Sequence, residues 1–367
     1  MKFLPYYFTC LLLSLSHFAG HGQDSLAVCD RFLCKSSIIP IPIVYYTPET
    51  RLAGGAAVLY AFRTRGQPVE QRPSQVQLGL AYTQNKQVLL YLPFQFFSRE
   101  EQFQVNGELG YYRYVYQLFG IGNDTPESSK EFYDTDFPRL RVNGLYQFKK
   151  DWYAGIRYWW DDYKITSRDS NGLLISNAVT GSTGGVISGV GLLLNLDSRD
   201  QIFYPTRGAF VETELFFNQK VFGSDFNFSR ISIDARAYFP HGEKGVWALN
   251  AWLTSLQGDP PFQQLALLGG PRKMRGYFEG RYRDRHLWGL QGDYRFSLFG
   301  IVGGVVFGGM GNVSPSFNSL LSQQWHFTYG AGLRILLAKK DHINLRIDVG
   351  ANEQGEVFPY LTVGEAF

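Results

Sequence analysis

The sequence predicts an all-β fold, a 16-stranded antiparallel transmembrane β-barrel. Three observations carry this. Segments of about ten residues alternate apolar and polar side chains along the chain, the period of a strand with one face in lipid and one toward a wet interior. After the N-terminus no stretch reaches the ~18 uninterrupted apolar residues of a membrane helix. The composition is 18% charged and 16% aromatic, with 40 glycines, where an average soluble chain is about 25% charged. In lipid every backbone N–H and C=O must pair inside the protein, and strands achieve that only by closing on themselves.

Residues 1–22 read as a secretory signal peptide. Lys2 gives a small positive start, Leu4 to Leu15 form a short apolar core, and Gly20 and Gly22 place small residues before a cleavage site at Gln23. A signal anchor is the alternative. After cleavage 34 Lys and Arg face 32 Asp and Glu, a net charge of +2. Residues 23–37 form a short polar periplasmic arm. It holds Cys29 and Cys34, whose spacing in an exported chain suits a small local disulfide. Val28 before Cys29 argues against a lipoprotein.

Alternation and turn residues place strands at 38–46, 51–63, 74–84, 87–97, 102–117, 137–149, 152–166, 183–195, 208–219, 225–240, 245–257, 285–298, 301–312, 324–338, 342–350 and 356–366. In 342–349, Ile343, Leu345, Ile347 and Val349 oppose His342, Asn344, Arg346 and Asp348. In 208–219, Val211, Thr213, Leu215 and Phe217 oppose Glu212 and Glu214. The barrel thus occupies 38–367 with both ends on the periplasmic side. Turns 149–151, 241–244 and 339–341 are periplasmic. Loops 118–136, 167–182, 259–284 and 313–323 face outward. Tyr111, Tyr112, Trp152, Tyr153, Trp159, Trp160, Trp247, Trp288 and Trp325 lie near strand ends, as interfacial girdles do. Phe367 adds a terminal aromatic to the last strand, as suits an outer-membrane export signal.

Other classes fall away. Hydrophobicity excludes disorder, three Cys exclude a disulfide scaffold, and the charge balance offers nucleic acid no basic block. There is no His-Glu-x-x-His, Gly-x-Ser-x-Gly, Cys-x-x-Cys or P-loop. His241, His286, His326 and His342 are scattered. His326 reads as a packed lumen residue, with Asp348 and Glu212 on the same side. No enzyme chemistry, metal, cofactor or small-molecule substrate is implied.

One segment stands out. Leu268-Gly-Gly-Pro-Arg-Lys-Met-Arg-Gly-Tyr-Phe-Glu-Gly-Arg-Tyr-Arg-Asp284 is basic, glycine-rich and aromatic, and it falls in the sixth outer loop. It resembles the BamA/TamA superfamily of outer-membrane barrels, the bacterial surface-antigen family, whose sixth loop carries an Arg-Gly-aromatic motif and folds into the lumen. Met274-Arg275-Gly276-Tyr277 fits the motif. Tyr46-Thr-Pro-Glu-Thr50, the 197–208 turn and Gly364-Glu-Ala-Phe367 are similar to other parts of that family, so the resemblance spans almost the whole barrel. It implies an outer loop folded into the lumen, with Arg275 paired to an acid on the next strand, where Asp293 stands. The family's second acid is replaced by Gly309, so Arg275 leans on Asp293 alone or on another lumen acid such as Glu212 or Glu214. The arm is too short for the POTRA domains that precede such barrels.

The family's first and last strands form a lateral seam. Here Pro40 and Pro42 lack the N–H that a ladder needs, and Pro359, Gly364 and Phe367 sit in the last strand. Either these prolines thin the seam, or they belong to an extended lead-in before the barrel. The resemblance implies a bacterial outer-membrane protein that assists insertion or translocation of polypeptides, or that serves as the barrel subunit of an outer-membrane complex. Its partners are then outer-membrane lipid and other outer-membrane or periplasmic proteins. The alternative is a passive pore or structural barrel.

Overall fold

A computed structural model describes residues 36–63, 67, 71–170, 172–176, 179–339 and 342–367. The signal peptide, the arm up to residue 35 and the Cys29–Cys34 pair lie outside the described residues.

The barrel strands are β1 (Ser37–Thr47), β2 (Arg51–Phe62), β3 (Ser74–Thr83), β4 (Val88–Phe97), β5 (Phe103–Leu118), β6 (Glu131–Lys149), β7 (Trp152–Arg168), β8 (Gly184–Asp197), β9 (Gly208–Asn218), β10 (Phe228–His241) and β11 (Gly245–Gly258), followed by β14 (His286–Phe299), β15 (Val302–Ser314), β16 (His326–Ala338), β17 (Ile343–Asn352) and β18 (Val357–Val363). Between β11 and β14 the loop carries a small hairpin, β12 (Ala266–Leu268) with β13 (Tyr282–Asp284). The sixteen long strands form one closed antiparallel barrel in chain order, β14 pairing with β11 and β18 returning to β1. Among the described residues no helix is long and apolar enough to cross a membrane.

Strand ends lie within three residues of those expected, with one exception. β6 begins at Glu131, not 137, because Leu118 to Arg113 on β5 pair with Glu131 to Asp136 and carry the hairpin beyond the apolar pattern. β18 ends at Val363, three residues short, because the backbone turns left-handed at Gly364. One rim carries the tight turns 150–151, 242–244 and 300–301. The opposite rim carries the long loops 119–130, 169–183, 259–285 and 315–325.

The two faces differ as the alternation requires. Leu78, Leu80, Tyr82, Ile156, Leu192, Tyr329 and Val349 are exposed around the outside. The inner face is charged yet buried. Arg139 and Arg141 grip Asp161 at 3.0 and 2.7 Å, and Arg157 and Arg230 hold Glu214 at 2.8 and 3.2 Å. Buried charges persist only when paired in this way. Three residues expected in the aromatic girdles belong to this inner wall. Tyr112 and Tyr153 are buried, and Trp159 lies beneath the guanidinium groups of Arg141, Arg157 and Arg230. Each shares strand parity with a lumen charge, which overrides its place near a strand end. Tyr111, Trp247 and Trp325 do face outward.

Candidate functional site

The β11–β14 loop packs its middle against the polar face of β14 to β18. Met274 starts the approach with φ +55, a left-handed backbone that costs a non-glycine residue about 1–2 kcal/mol. It is held there by its N–H, which donates to Gln291 Oε1 at 3.2 Å. Its sulfur lies over Gly309, where a Cβ would stand 3.2 Å from Sδ. A carboxylate at position 309 would therefore displace Met274.

Arg275 is 1% exposed. Its Nη2 donates to Asp293 Oδ1 on β14, and its Nη1 donates to Asp348 Oδ2 on β17 at 2.6 Å. The guanidinium carbon sits 3.6 Å from the centroid of the Phe307 ring on β15. A planar cation with two carboxylates and a ring face is tightly fixed. Asp348 also takes Arg334 Nη1 at 2.6 Å and has Arg346 Nε at 3.7 Å. The second acid is thus Asp348. Glu212 and Glu214 lie elsewhere, committed to Arg157 and Arg230.

Gly276 has φ +120, and a Cβ there would lie 2.5 Å from the Ala351 carbonyl oxygen. Its N–H donates to the Tyr360 hydroxyl on β18 at 3.1 Å. Opposite, a Cβ on Gly350 would come 2.7 Å from the Arg275 carbonyl. Backbone meets backbone at this point, so only glycine fits on either side. The Tyr277 hydroxyl donates to Glu353 and, at 3.2 Å, to Gln354 Oε1.

The rest of the loop is tied to distant parts of the barrel. Glu279 N–H donates to Glu49 in the β1–β2 turn at 2.9 Å, and burial pushes the Glu49 carboxyl up from its ordinary value. Arg281 donates to Thr125 in the β5–β6 loop at 3.0 Å. Lys273 pairs with Asp234 on β10 at 2.8 Å. Tyr282 stacks on His326, whose Nδ1 lies 2.9 Å from Glu353 and whose Nε2 lies 3.0 Å from the Asn123 carbonyl. His326 therefore has Glu353 as its acid, not Asp348 or Glu212. Burial pushes the Glu353 carboxyl up, but the Tyr277 and His326 hydrogen bonds outweigh it and hold its pKa below the usual value. Among the described residues no group of His, Cys, Asp and Glu could hold a metal ion.

The seam residues take other places. Pro40 and Pro42 are inside β1, opposite Val58 and Ala56 of β2, and so do not form a lead-in before the barrel. Pro359 faces Val349 of β17. β1 and β18 share a single registered pair, Tyr46 opposite Leu361. Gly364 and Phe367 have left the wall. Gly364 has φ +80, and Phe367 is buried against Tyr238, Val246 and Ala248. Asp348, Tyr360 and Glu353 are members of the loop site that sequence reasoning missed. Alternation placed Asp348 on the polar face, but nothing in the chain marked its partner.

A closed sixteen-stranded barrel with an apolar outer wall and a charged inner one is an outer-membrane protein of the bacterial envelope. The chain belongs to the Omp85 superfamily, whose domain matches residues 72–354. Its fold is similar to that of BamA from Haemophilus ducreyi lacking POTRA domains 1-3, with a TM-score of 0.62 at 14% identity over 90% of this chain and 70% of that one. It is similar also to CdiB from Escherichia coli, with a TM-score of 0.61 at 12% identity over 89% of this chain, and to CdiB from Acinetobacter baumannii, at 0.56 and 11% over 90%. The chain spans 62% and 59% of those two CdiB chains. No curated protein sequence matches it.

Proposed function

We propose that this barrel assists the insertion or translocation of polypeptides at the outer membrane, alone or as the barrel subunit of a larger complex. Its means are mechanical: a seam that opens between β1 and β18, and the β11–β14 loop lodged in the lumen by Arg275 with Asp293 and Asp348. The short-turn rim faces the periplasm in this reading. The carrying observation is the seam. β1 pairs with β2 from Ser37–Ala61 through Thr47–Arg51, but with β18 only at Tyr46–Leu361. In that register Val363 stands level with Val44, so residues 37–43 extend past the end of β18. Pro40 and Pro42 there lack donors. An edge this bare accepts another strand at little cost. Membership of the Omp85 superfamily and likeness in fold to BamA and CdiB support the reading.

The test is a covalent lock. Tyr46→Cys with Leu361→Cys places thiols on the registered pair. Oxidation is expected to stop assembly or secretion of client proteins in cells that depend on this barrel, and reduction to restore it. A locked barrel that works normally overturns the seam. Normal assembly and secretion in cells without the protein, together with a steady open conductance of the purified barrel, would favour the passive pore.

A further inference from the structure

The short-turn rim carries a second built cluster, remote from the loop motif. At Gly364 the backbone turns left-handed, and residues 365–367 swing inward. Glu365 accepts from Arg334 Nε at 2.7 Å and from Asn344 Nδ2 at 3.1 Å, with Arg295 Nε at 3.7 Å. Ala366 and Phe367 are buried with Tyr238, Val246 and Ala248 of β10 and β11. In the ring, β17, β16, β15 and β14 separate β18 from β11. The segment therefore crosses the inside of the barrel instead of following its wall.

The 198–207 loop crosses from the other side. Its Tyr204 stacks on His342, next to β17, with ring centroids 4.7 Å apart and planes 15° apart. Both crossings meet on Arg295, which is fully buried. Arg295 donates to the Pro205 carbonyl at 3.4 Å and to the Phe367 carbonyl at 2.8 Å. The rings of Tyr204, Tyr238 and Phe367 lie 5.7, 5.7 and 5.6 Å from its guanidinium carbon. A desolvated guanidinium is costly without such partners. Pro205, Glu365 and Phe367 all belong to the two crossing segments.

We propose that these segments form a floor across the short-turn mouth: a peptide pocket filled by the chain's own Glu365-Ala366-Phe367 and closed beneath by the 198–207 loop, with Arg295 as the joint. Arg334 and Arg295 receive the carboxylate, and the Tyr238–Val246–Ala248 surface receives the ring. Anything entering the lumen from this rim must first displace residues 364–367. The floor stands independently of the seam, since it would hold in a barrel with no assembly activity.

Thiol labelling of the folded full chain tests it. Cys10, Cys29 and Cys34 are replaced by serine. A single cysteine is then introduced by Ala366→Cys or, at an exposed reference position on the same rim, by Glu243→Cys. The thiol at position 366 is expected to react with a water-soluble maleimide about 100-fold more slowly than the one at position 243, the protection a docked segment gives. Arg295→Ala, Glu365→Gln and Phe367→Ala should each raise the labelling rate at position 366 at least about tenfold by loosening that docking. Heat-modifiable migration checks that each variant is folded. Should Arg295→Ala fail to fold, Glu365→Gln, which keeps the size of the side chain, gives the same reading. Equal rates at positions 366 and 243, or rates that no floor variant changes, would each overturn the proposal.

Discussion

Arg275 is where the loop's stability concentrates. Removing it leaves Asp293 and Asp348, both fully buried, facing each other's strands without their shared cation. Breaking a buried pair by deleting one partner costs about 3–5 kcal/mol. Arg275→Ala should therefore lower the temperature at which the heat-modifiable band converts to the unfolded one, and Arg275→Lys should recover only part of the loss because an ammonium cannot fork between two carboxylates. Gly276→Ala acts differently. It forces a Cβ onto the Ala351 carbonyl at a positive φ, a strain of about 1–3 kcal/mol that releases the loop without changing charge. The expected sign is trypsin cleavage within 271–283 of a barrel that still migrates as folded; resistance equal to the parent would mean that the close approach is unimportant.

At the scale of elements, the seam and the 198–207 loop make separate predictions. Amides of residues 37–43 should exchange at least about tenfold faster than those of residues 345–351 of β17, which are paired on both sides. Equal protection would contradict the bare edge. The 198–207 loop is organised by Asp200, which accepts from the Thr206 and Arg207 amides at 2.9 and 3.3 Å and from the Thr206 hydroxyl. Burial pushes its pKa up, but these bonds outweigh that and hold it below the ordinary value. A depressed carboxylate stabilises the fold at pH above its unfolded value of about 3.9 and loses that contribution as pH falls through the folded one. Protection of the 198–207 amides, taken relative to their intrinsic exchange at each pH, should thus fall on acidification below about pH 4, and Asp200→Asn should abolish that response.

The strands were legible because a membrane wall imposes one rule on every residue, and a run such as 342–349 obeys it without help from its neighbours. The exceptions are places where a partner decides. The start of β6 depends on pairing with β5, and the inward turn after Val363 depends on Arg295 and Arg334, which lie far away in the chain. The loop site divides in the same way. Asp293 is eighteen residues from Arg275, on the strand that follows the loop, where alternation gives its face. Asp348 is 73 residues away, and no local pattern tells which walls confront each other across a lumen.

At the scale of the whole molecule, the loop works as a strut between parts that are consecutive in space but late in sequence. It ends at Arg285, yet its anchors Asp348, Glu353 and Tyr360 lie on the last two strands and the turn between them. That ordering gives the barrel a chronology. Until β17 and β18 are in place, Arg275 has only Asp293, Gly276 has no hydroxyl to receive its N–H, and Tyr277 has no carboxylate. Lys273, Glu279 and Arg281 can already tie the loop to β10, the β1–β2 turn and the β5–β6 loop, but the Arg275–Tyr277 motif gains its remaining partners last, because they stand on the final two strands and the turn between them. Protection of the loop is thus a completion mark: a barrel in which residues 271–283 resist protease is one whose last strand has already arrived.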